Sequence, residues 1–493
     1  MKSLMSTFGA YGIAVSGMFA NRTGLSVVSN NITNVNTVGY SRQQTALAEA
    51  CLLKSSGSEG SGVTVQEIRR ARNALLDQTY RSQNAQAEYW NAKSATLTDL
   101  QSMLNEFGAA DGTDDTGLQQ ALTDFFGSWD ELAKDPSAQS ARSSVVESTE
   151  SLLGMLDQLD SQLRALQSDA VVKAGDAVTD LNDLAQQVAK LNVEILKTET
   201  ADVEASDLRD QRDVLLDQMS ALVSIRVEEQ DNGMVNVSIG GIPVVNEKKT
   251  YPLELAGDGS ADSPLVVNST SLDGTVKISG GSLKAYLEEA DWSGAAAIDT
   301  ASLPYAYTAA ASHSVASLWQ GLNDLAVTVA NAVNQLQLTG IDLDGESGVA
   351  FFVAVDEDQP LGLGNIAINS ALDDLDKIVT STTGQSGDNT IANAIVALQD
   401  QNLFSFDGLA VDLNGFYEAV ISWVGTAGTN AESTASTTAS LATQAENQRQ
   451  ALSAVSLDEE MSRMITYQNA YSANARVLST IDSMLADLIE ELG

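Results

Sequence analysis

Two stretches decide the fold of this chain: residues 4–32, LMSTFGAYGIAVSGMFANRTGLSVVSNNI, and residues 457–492, LDEEMSRMITYQNAYSANARVLSTIDSMLADLIEEL. In both, apolar residues recur at alternating intervals of four and three, which predicts helices with a narrow apolar stripe. The stripe residues are Leu4, Phe8, Tyr11, Val15, Met18, Leu25 and Ile32 in the first stretch, and Leu457, Met461, Met464, Tyr471, Leu478, Leu485, Ile489 and Leu492 in the second. So narrow a stripe is typical of a helix that packs against one partner helix. We therefore expect the two ends to pair with each other or to pack into an assembly, while the middle of the chain projects. The alternative is two ordinary amphipathic helices docked on a globular core.

An Asn-rich segment, NNITNVNTVGYSRQ at residues 30–43, follows the first stripe, and its Gly39 suits a left-handed turn. The segment resembles the N-terminal signature of the axial proteins of the bacterial flagellum, and its GYSRQ variant is most similar to the FlgK family of hook-associated proteins. Residues 456–461, 467–471 and 475–478 are similar to the tail of that family, and residues 207–213 and 387–390 to its interior. The resemblance therefore extends over most of the chain.

The resemblance implies a structural protein at the hook–filament junction, outside the cell, exported without a cleaved signal peptide. It implies as partners the hook protein, a second junction protein, further copies of the chain, and a cytoplasmic export chaperone on the C-terminal helix. The predicted subunit-interface residues are the stripe residues given above together with Asn31, Asn34 and Tyr40. Another axial protein (hook, distal rod or flagellin-like) is the alternative. Hook and rod proteins turn to β-structure soon after the signature, whereas here residues 64–222 are predicted to be helical.

Charge and length narrow the class of protein. The chain has 493 residues and a net charge of −40, which disfavours binding to nucleic acid or to anionic membranes. It is too long for one hydrophobic core, so several domains are expected. It has no apolar run of 18 residues, so no membrane insertion is expected. Cys51 is the single cysteine, which excludes an intrachain disulfide.

The interior reads as helical first and β-containing later. Helical patterns are predicted over 64–107, 118–135 and 137–222, with Gly154 and Gly175 as weak points, and alternating patterns begin near Val223. An Asn232-Gly233 turn predicts a hairpin, and Asp273-Gly274 a second turn. Helix is expected again at 283–289, 314–338 and 391–398, and residues 426–456 are expected to form a weakly packed helix.

The predicted fold is mainly α with a β insertion: terminal coiled-coil helices, an elongated helical bundle and central β-containing domains. The predicted domains are an axial core of residues 1–50 and 452–493, a helical shaft of 51–222, 281–340 and 388–451, and an outer β-containing part of 223–280 and 341–387. We expect the segment 246–280 to project from the shaft, so that its removal would leave secretion and filament growth largely intact.

No catalytic, cofactor or metal site is predicted. His313 is the only histidine, which excludes metal sites rich in histidine. The sequence Gly362-x-Gly364-x-x-Ala367 matches a dinucleotide fingerprint, but no clear βαβ unit surrounds it. Asp342-x-Asp344-Gly345-Glu346 lacks the glycine and glutamate positions of a calcium loop and is interpreted as a turn. We therefore expect no enzyme.

Overall fold

The computed structural model describes residues 2–54, 57–104, 117–199, 204–260, 263–272, 274–292, 305–307, 314–406 and 408–492. Its α-helices are α1 (Lys2–Thr33), α2 (Ala74–Leu104), α3 (Leu118–Lys134), α4 (Gln139–Thr198), α5 (Ser206–Leu222), α6 (Ser282–Ala290), α7 (Ser314–Thr339), α8 (Thr390–Val396), α9 (Leu413–Ser453) and α10 (Leu457–Leu492). The predictions for His313 and for Asp273 fall outside the described residues. The chain is mainly α-helical with small β-sheets, as the sequence predicts.

The strands are short except for the first two. They are β1 (Gln43–Lys54), β2 (Gly57–Arg70), β3 (Arg226–Glu229), β4 (Val235–Ile239), β5 (Ile242–Asn246), β6 (Lys249–Thr250), β7 (Leu253–Ala256), β8 (Val266–Ser269), β9 (Tyr305–Tyr307), β10 (Phe352–Val353), β11 (Ala367–Ile368), β12 (Phe404–Phe406) and β13 (Leu409–Val411). Antiparallel sheets form from β1 with β2, from β3 to β6 in sequence order, from β7 with β8 and from β10 with β11. In a mixed sheet β12 lies between antiparallel β13 and parallel β9.

The hairpin of β1 and β2 corrects the sequence interpretation. Residues 64–70 were predicted to begin a long helix, but they pair as strand β2 in a register that joins Gln43 to Arg70, and the helix begins at Ala74. The segment lacks Gly and Pro, which suggested a helix, yet Val63, Val65 and Ile68 have the branching that favours a strand when a partner is present. Since β-structure directly follows the Asn-rich segment, as expected of hook and rod proteins, this part of the chain does not distinguish it from them.

Helix α4 connects two hydrophobic cores. It is 60 residues long and passes without a break through Gly154 and Gly175, the predicted weak points. Between Val145 and Leu163 its buried side chains join a core formed with α3, α7, α8 and α9. Further along, its buried side chains from Ala170 to Ala189 join a second core with α5, α6 and the strands β4, β5, β7 and β8. One helix therefore serves as a wall of both cores.

The first core is aromatic and is closed by a buried arginine. The ring centroids of Trp129 on α3 and Phe351 lie 5.5 Å apart. Arg142 on α4 is fully buried, and its Nη1 donates to the carbonyl oxygens of Leu375 (2.8 Å) and Ile378 (2.6 Å). Nε and Nη2 of the same side chain donate to the carbonyl oxygen of Pro136 at 3.0 and 2.8 Å. These bonds hold the irregular segment before α8 against the start of α4.

The second core contains the predicted hairpin of β3 and β4, whose turn has Gly233 at φ +77°. It also contains the segment 246–280, which was expected to project. Leu253 and Val267 are buried there, and Asn182 of α4 exchanges two hydrogen bonds of 2.8 Å with the backbone of Leu253. This packing argues against the expectation that the segment can be removed, because its side chains complete the core on α4.

Helix α9 runs antiparallel to α2. Nε2 of Gln101 near the end of α2 donates to the carbonyl oxygen of Gly425 at 3.4 Å, while the guanidinium of Arg449 lies 4.1 Å from the ring centroid of Tyr80. The helix predicted over 426–456 is confirmed. This helix pair leads from the first core to the point where both chain ends meet.

Candidate assembly site at the paired chain ends

Helices α1 and α10 pack against each other in antiparallel orientation. A Cβ built on Gly17 would lie 2.7 Å from Nδ2 of Asn474, and one built on Gly24 would lie 2.7 Å from the ring of Tyr467. Nδ2 of Asn31 donates to Oε2 of Glu460 at 2.9 Å. The two glycines allow the helix backbones to approach closely. The prediction that the chain ends pair with each other is confirmed.

The buried stripe of α1 is displaced from the predicted one by a single residue. The buried residues between positions 14 and 31 are Ala14, Ala20, Gly24, Val27, Val28 and Asn31. The predicted residues Val15, Met18, Leu25 and Ile32 are half-buried, and Tyr11 is 39% exposed. Since one residue turns a helix by about 100°, the predicted stripe flanks the intrachain contact. The side chains of Leu4 and Phe8 lie outside the described part of the structure.

On α10 the predicted stripe lies in part on the side of the helix that packs against α1. Met464, Tyr471, Leu478 and Leu485 are half-buried on the side that contains the buried residues Glu460 and Ile481. The other predicted residues are Leu457, 45% exposed, Met461, 56% exposed, and Ile489, 70% exposed. The side chain of Leu492 is not among those described. Of the seven predicted residues whose side chains are described, four therefore lie on the side facing α1, and three face outward.

Asn31 is the polar centre of the contact between the ends. It is fully buried, and its Nδ2 donates to the carbonyl oxygen of Gln43 at 2.9 Å as well as to Glu460. Its Oδ1 accepts from the backbone N of Gln43 at 2.9 Å and from the hydroxyl of Tyr40 at 2.8 Å. Asn34 bonds instead to Asn30 within its own turn, at 2.9 Å to Oδ1. The contacts of Asn31 and Tyr40 thus lie within the subunit, and their place in a subunit interface stays a prediction.

Arg42 joins the ends to the rest of the chain. Its Nε lies 3.0 Å from Oε1 of Glu460, and its Nη2 lies 2.9 Å from Oε2 of Glu459. Its backbone N donates to the carbonyl oxygen of Ser453 at 2.8 Å, and its carbonyl oxygen accepts from the N of Ala71 at 2.8 Å. One residue therefore contacts the end of α9, the start of α10 and the segment before α2.

A cluster of charged side chains lies next to the contacts of Arg42. Arg70 Nη1 lies 2.9 Å from Oδ1 of Asp210 and 2.7 Å from Oδ2 of Asp213, and Arg81 Nη2 lies 3.1 Å from Oδ1 of Asp213. Asp210 also accepts from the backbone N and the hydroxyl of Ser41 in the Asn-rich segment, at 2.8 and 2.5 Å. The cluster fixes α5 to the hairpin of β1 and β2 and to the start of α2.

Burial and charge act in opposite directions on Asp213. Burial raises its pKa, but the guanidinium groups of Arg72, Arg81 and Arg70 lower it more strongly, so the pKa lies far below the ordinary range of a carboxyl. For Tyr40, burial and the neighbouring carboxylates of Asp207 and Asp210 both raise the pKa. The tyrosine therefore stays protonated and keeps donating to Asn31.

The sequence contained a signal for this cluster that our reasoning did not use. Asp210, Asp213 and Asp217 are spaced by three and four residues, so they share one face of α5. That face meets arginines from three other elements, including Arg449 of α9, whose Nη1 lies 2.5 Å from Oδ2 of Asp217.

Beyond the intrachain contact, both terminal helices expose large apolar side chains. The exposed fraction is 62% for Phe19 on α1, and 58% and 59% for Ile465 and Met484 on α10. Among the described residues, no helix is both long and apolar enough to cross a membrane. Exposed apolar side chains in such number on two paired helices are typical of a surface that another chain covers.

Comparisons with known proteins define the class first. Residues 13–40 match the model of the flagella basal body rod protein family, and residues 446–491 match the C-terminal model of the flagellar basal body rod FlgEFG proteins. The hook protein FlgE of Rhizobium meliloti is 42% identical over 65 residues, which are 13% of this chain. The paired ends therefore place the chain among the structural proteins of the bacterial flagellum.

The interior defines the family. Residues 97–352, just over half of the chain, match the flagellar hook-associated protein FlgK helical domain. The chain belongs to the FlgK family of flagellar hook-associated proteins. This family is structural, so the chain is not an enzyme.

Full-length relatives agree with this assignment. Flagellar hook-associated protein 1 of Bacillus subtilis is 28% identical over 99% of both chains. The protein of the same name from Escherichia coli is 26% identical over 97% of this chain and 98% of its own length. The structure of the flagellar hook junction protein FlgK from Burkholderia pseudomallei superimposes with a TM-score of 0.61 at 15% identity, covering 77% of this chain and all of that one, and supports the fold.

Proposed function

We propose that this chain is the subunit that joins the flagellar hook to the filament and acts as an assembly adaptor. Helices α1 and α10 would enter the axial tube, and the two cores around α4 would form its outer layer. The observation that carries the proposal is the exposed apolar surface on both paired ends, since such a surface requires a covering partner. The full-length relatives are named as flagellar hook-associated proteins, which supports a place next to the hook.

The adaptor role follows from the geometry of a linear assembly. A subunit in an axial tube contacts the subunits below and above through two different surfaces, and such heterologous contacts continue until a different protein ends the series. One surface would accept the hook protein, the lateral surfaces would accept copies of this chain, and the far surface would accept a second junction protein. The net charge of −40 keeps the outer surfaces of neighbouring subunits from associating non-specifically.

Export is the second part of the proposal. The chain would leave the cell through the flagellar export route without cleavage of a signal peptide. The exposed residues Met461, Ile465 and Ile489 on α10 would need a cover before assembly, because an apolar helix surface promotes aggregation. A cytoplasmic chaperone bound to α10 would provide that cover. Binding to the full chain and its absence after deletion of residues 457–493 would be measured by co-purification from the cytoplasm.

A different axial position, as hook, distal rod or flagellin-like subunit, is the second candidate. The matches of residues 13–40 and 446–491 to rod-protein models favour it, because these ends are shared across the axial proteins. The helical domain at residues 97–352 favours the junction. The two positions differ in what a cell lacking the protein still builds.

The decisive experiment is electron microscopy of cells in which the gene is deleted. We expect complete hooks without filaments, and flagellin shed into the medium. Cells that lack hooks would overturn the junction role and support a rod or hook protein. The full chain should restore filaments, whereas the chain without residues 457–493 should not. A matched control is the chain with Val172→Ser, an exposed position of α4 far in sequence from both ends, which should restore filaments fully.

A further inference from the structure

The contacts between α1 and α10 define one alignment of the two helices. The facing residues are Gly17 with Asn474, Gly24 with Tyr467, and Asn31 with Glu460. Each step is seven residues on both helices. Because the glycines are themselves seven residues apart, a slip of one heptad, about 10 Å, would again place a glycine in the contact. Close packing at glycine therefore leaves two neighbouring registers nearly equivalent, and something else must distinguish them.

The Asn31–Glu460 hydrogen bond belongs to the observed register alone. Both side chains are fully buried, and Asn31 fills all four of its hydrogen-bonding positions in the observed register. After a slip of one heptad Gly24 would face Glu460, so neither side chain would keep its partner across the helix pair. A buried polar group without a partner costs about 1–3 kcal/mol, and a charged one more. A single buried polar residue specifies register in coiled coils for the same reason.

Arg42 connects this pair to the remainder of the chain. It neutralises Glu460 while its backbone bonds to Ser453 and Ala71, at the ends of α9 and of the hairpin. We infer that Asn31 and Glu460, held by Arg42 and Gln43, set the register of α1 against α10. The Asn-rich segment thereby determines how far each end of the chain reaches along the axis. This role is internal to the subunit and is independent of the proposed place of the chain at the junction.

Disulfide trapping in the full chain reads the register directly. With Cys51→Ser as background, Gly17→Cys is combined with Asn474→Cys for the observed register, and with Tyr467→Cys or Ile481→Cys for the two slipped registers. The Cβ of residue 17 lies close enough to the side chain of Asn474 for a disulfide, whereas the slipped positions are about 10 Å away along the axis. We expect the 17–474 disulfide to form at least about tenfold faster than either other pair, as measured on non-reducing gels and by mass spectrometry. Equal rates for the three pairs would overturn the inference.

The determinant is then tested by substitution. In Asn31→Leu and in Glu460→Leu, one of the slipped disulfides should form within about threefold of the rate of the 17–474 disulfide, because the register penalty has been removed. Glu460→Gln keeps the acceptor and should keep the preference. The matched control is Asn34→Leu, the same change at an asparagine that bonds only near its own turn.

Each result distinguishes a role of the Asn31–Glu460 pair in helix register from a role in the folding of the two terminal helices. An unchanged preference for 17–474 in both leucine variants would show that the pair does not set the register. If Asn31→Leu loses protection of α1 amides in hydrogen exchange, Glu460→Leu decides, since Arg42 keeps its bond to Glu459 there. Loss of protection in both leucine variants would contradict the inference, because the pair would then be needed for folding.

Discussion

Asp324 on α7 provides a sharp test of the packing described for the first core. Its side chain is buried, and Oδ1 has no hydrogen-bond partner in the described part of the chain. Burial raises the pKa of Asp324 to about 7, and hydrogen bonds from Gln320 and Asn323 offset this effect only in part. In the unfolded chain the ordinary pKa of 3.8 applies. The folded state therefore binds the proton more tightly, so this residue lowers stability as the pH rises from about 4 to about 7.

The expected size follows from the shift. About three pKa units correspond to about 4 kcal/mol of lost stability above pH 7. Asp324→Asn removes the buried charge and so raises stability, although a buried amide group without a hydrogen-bond partner offsets part of this increase. We expect this variant to be about 2–4 kcal/mol more stable than the parent at pH 8, with the difference disappearing near pH 4.

The measurement is urea unfolding followed by tryptophan fluorescence at several pH values between 4 and 9. Asp176→Asn, a change at an exposed position of α4, controls for the loss of one negative charge from a highly acidic chain. The difference in the free energy of unfolding between Asp324→Asn and the parent should depend on pH, whereas the difference between Asp176→Asn and the parent should not. If the difference in the free energy of unfolding between Asp324→Asn and the parent stays constant from pH 4 to pH 9, the carboxyl of Asp324 is solvated in the folded protein. That result would refute the burial of Asp324 in the first core.

Asp213→Ala should lower the free energy of unfolding by about 3–5 kcal/mol, since it leaves the largely shielded guanidinium groups of Arg70, Arg72 and Arg81 undercompensated; a loss below about 1 kcal/mol in thermal unfolding would show that these charges are well hydrated. Leu478→Asp places a charge on the half-buried face of α10 that packs against α1, and it should abolish filament attachment by separating the paired ends while circular dichroism of the cores stays unchanged. Normal filaments in micrographs would show that attachment does not depend on this pairing. Deletion of 246–280 should unfold the second core, because Leu253 and Val267 are buried there. A soluble deletion variant with an unchanged melting temperature would contradict this.

The long helices could be predicted because their periodic patterns are strong. The predicted helix at 314–338 corresponds to α7 (Ser314–Thr339), and the weakly packed helix at 426–456 corresponds to the end of α9. The strand at 64–70 could not be predicted in the same way. Its residues read as helical by the absence of Gly and Pro, and only pairing with β1 makes them a strand, which is a contact between separate segments of the chain.

For the contact between α1 and α10, the sequence predicted the two helices but not the contacting residues, whereas the predicted subunit interface stays a prediction. The stripe from Val15 to Ile32 lies one residue away from the intrachain contact, because the larger side chains marked the pattern while Gly17 and Gly24 made the contact. Glycine contributes nothing to an apolar count, so a hydrophobic pattern overlooks the positions of closest approach. The role of Glu460 was missed for a related reason, since a lone acidic residue in a helix is ordinarily solvated.

The single helix α4 limits how this protein can be divided. At about 1.5 Å per residue it is about 90 Å long, and it supplies buried side chains to both cores. A gene fragment that ends within α4 would leave one core without a wall, so neither core can be exchanged or expressed as an independent module. We therefore expect variation in length between related proteins to fall in the loops between the other elements. In this molecule the smallest segment expected to fold by itself therefore contains both hydrophobic cores.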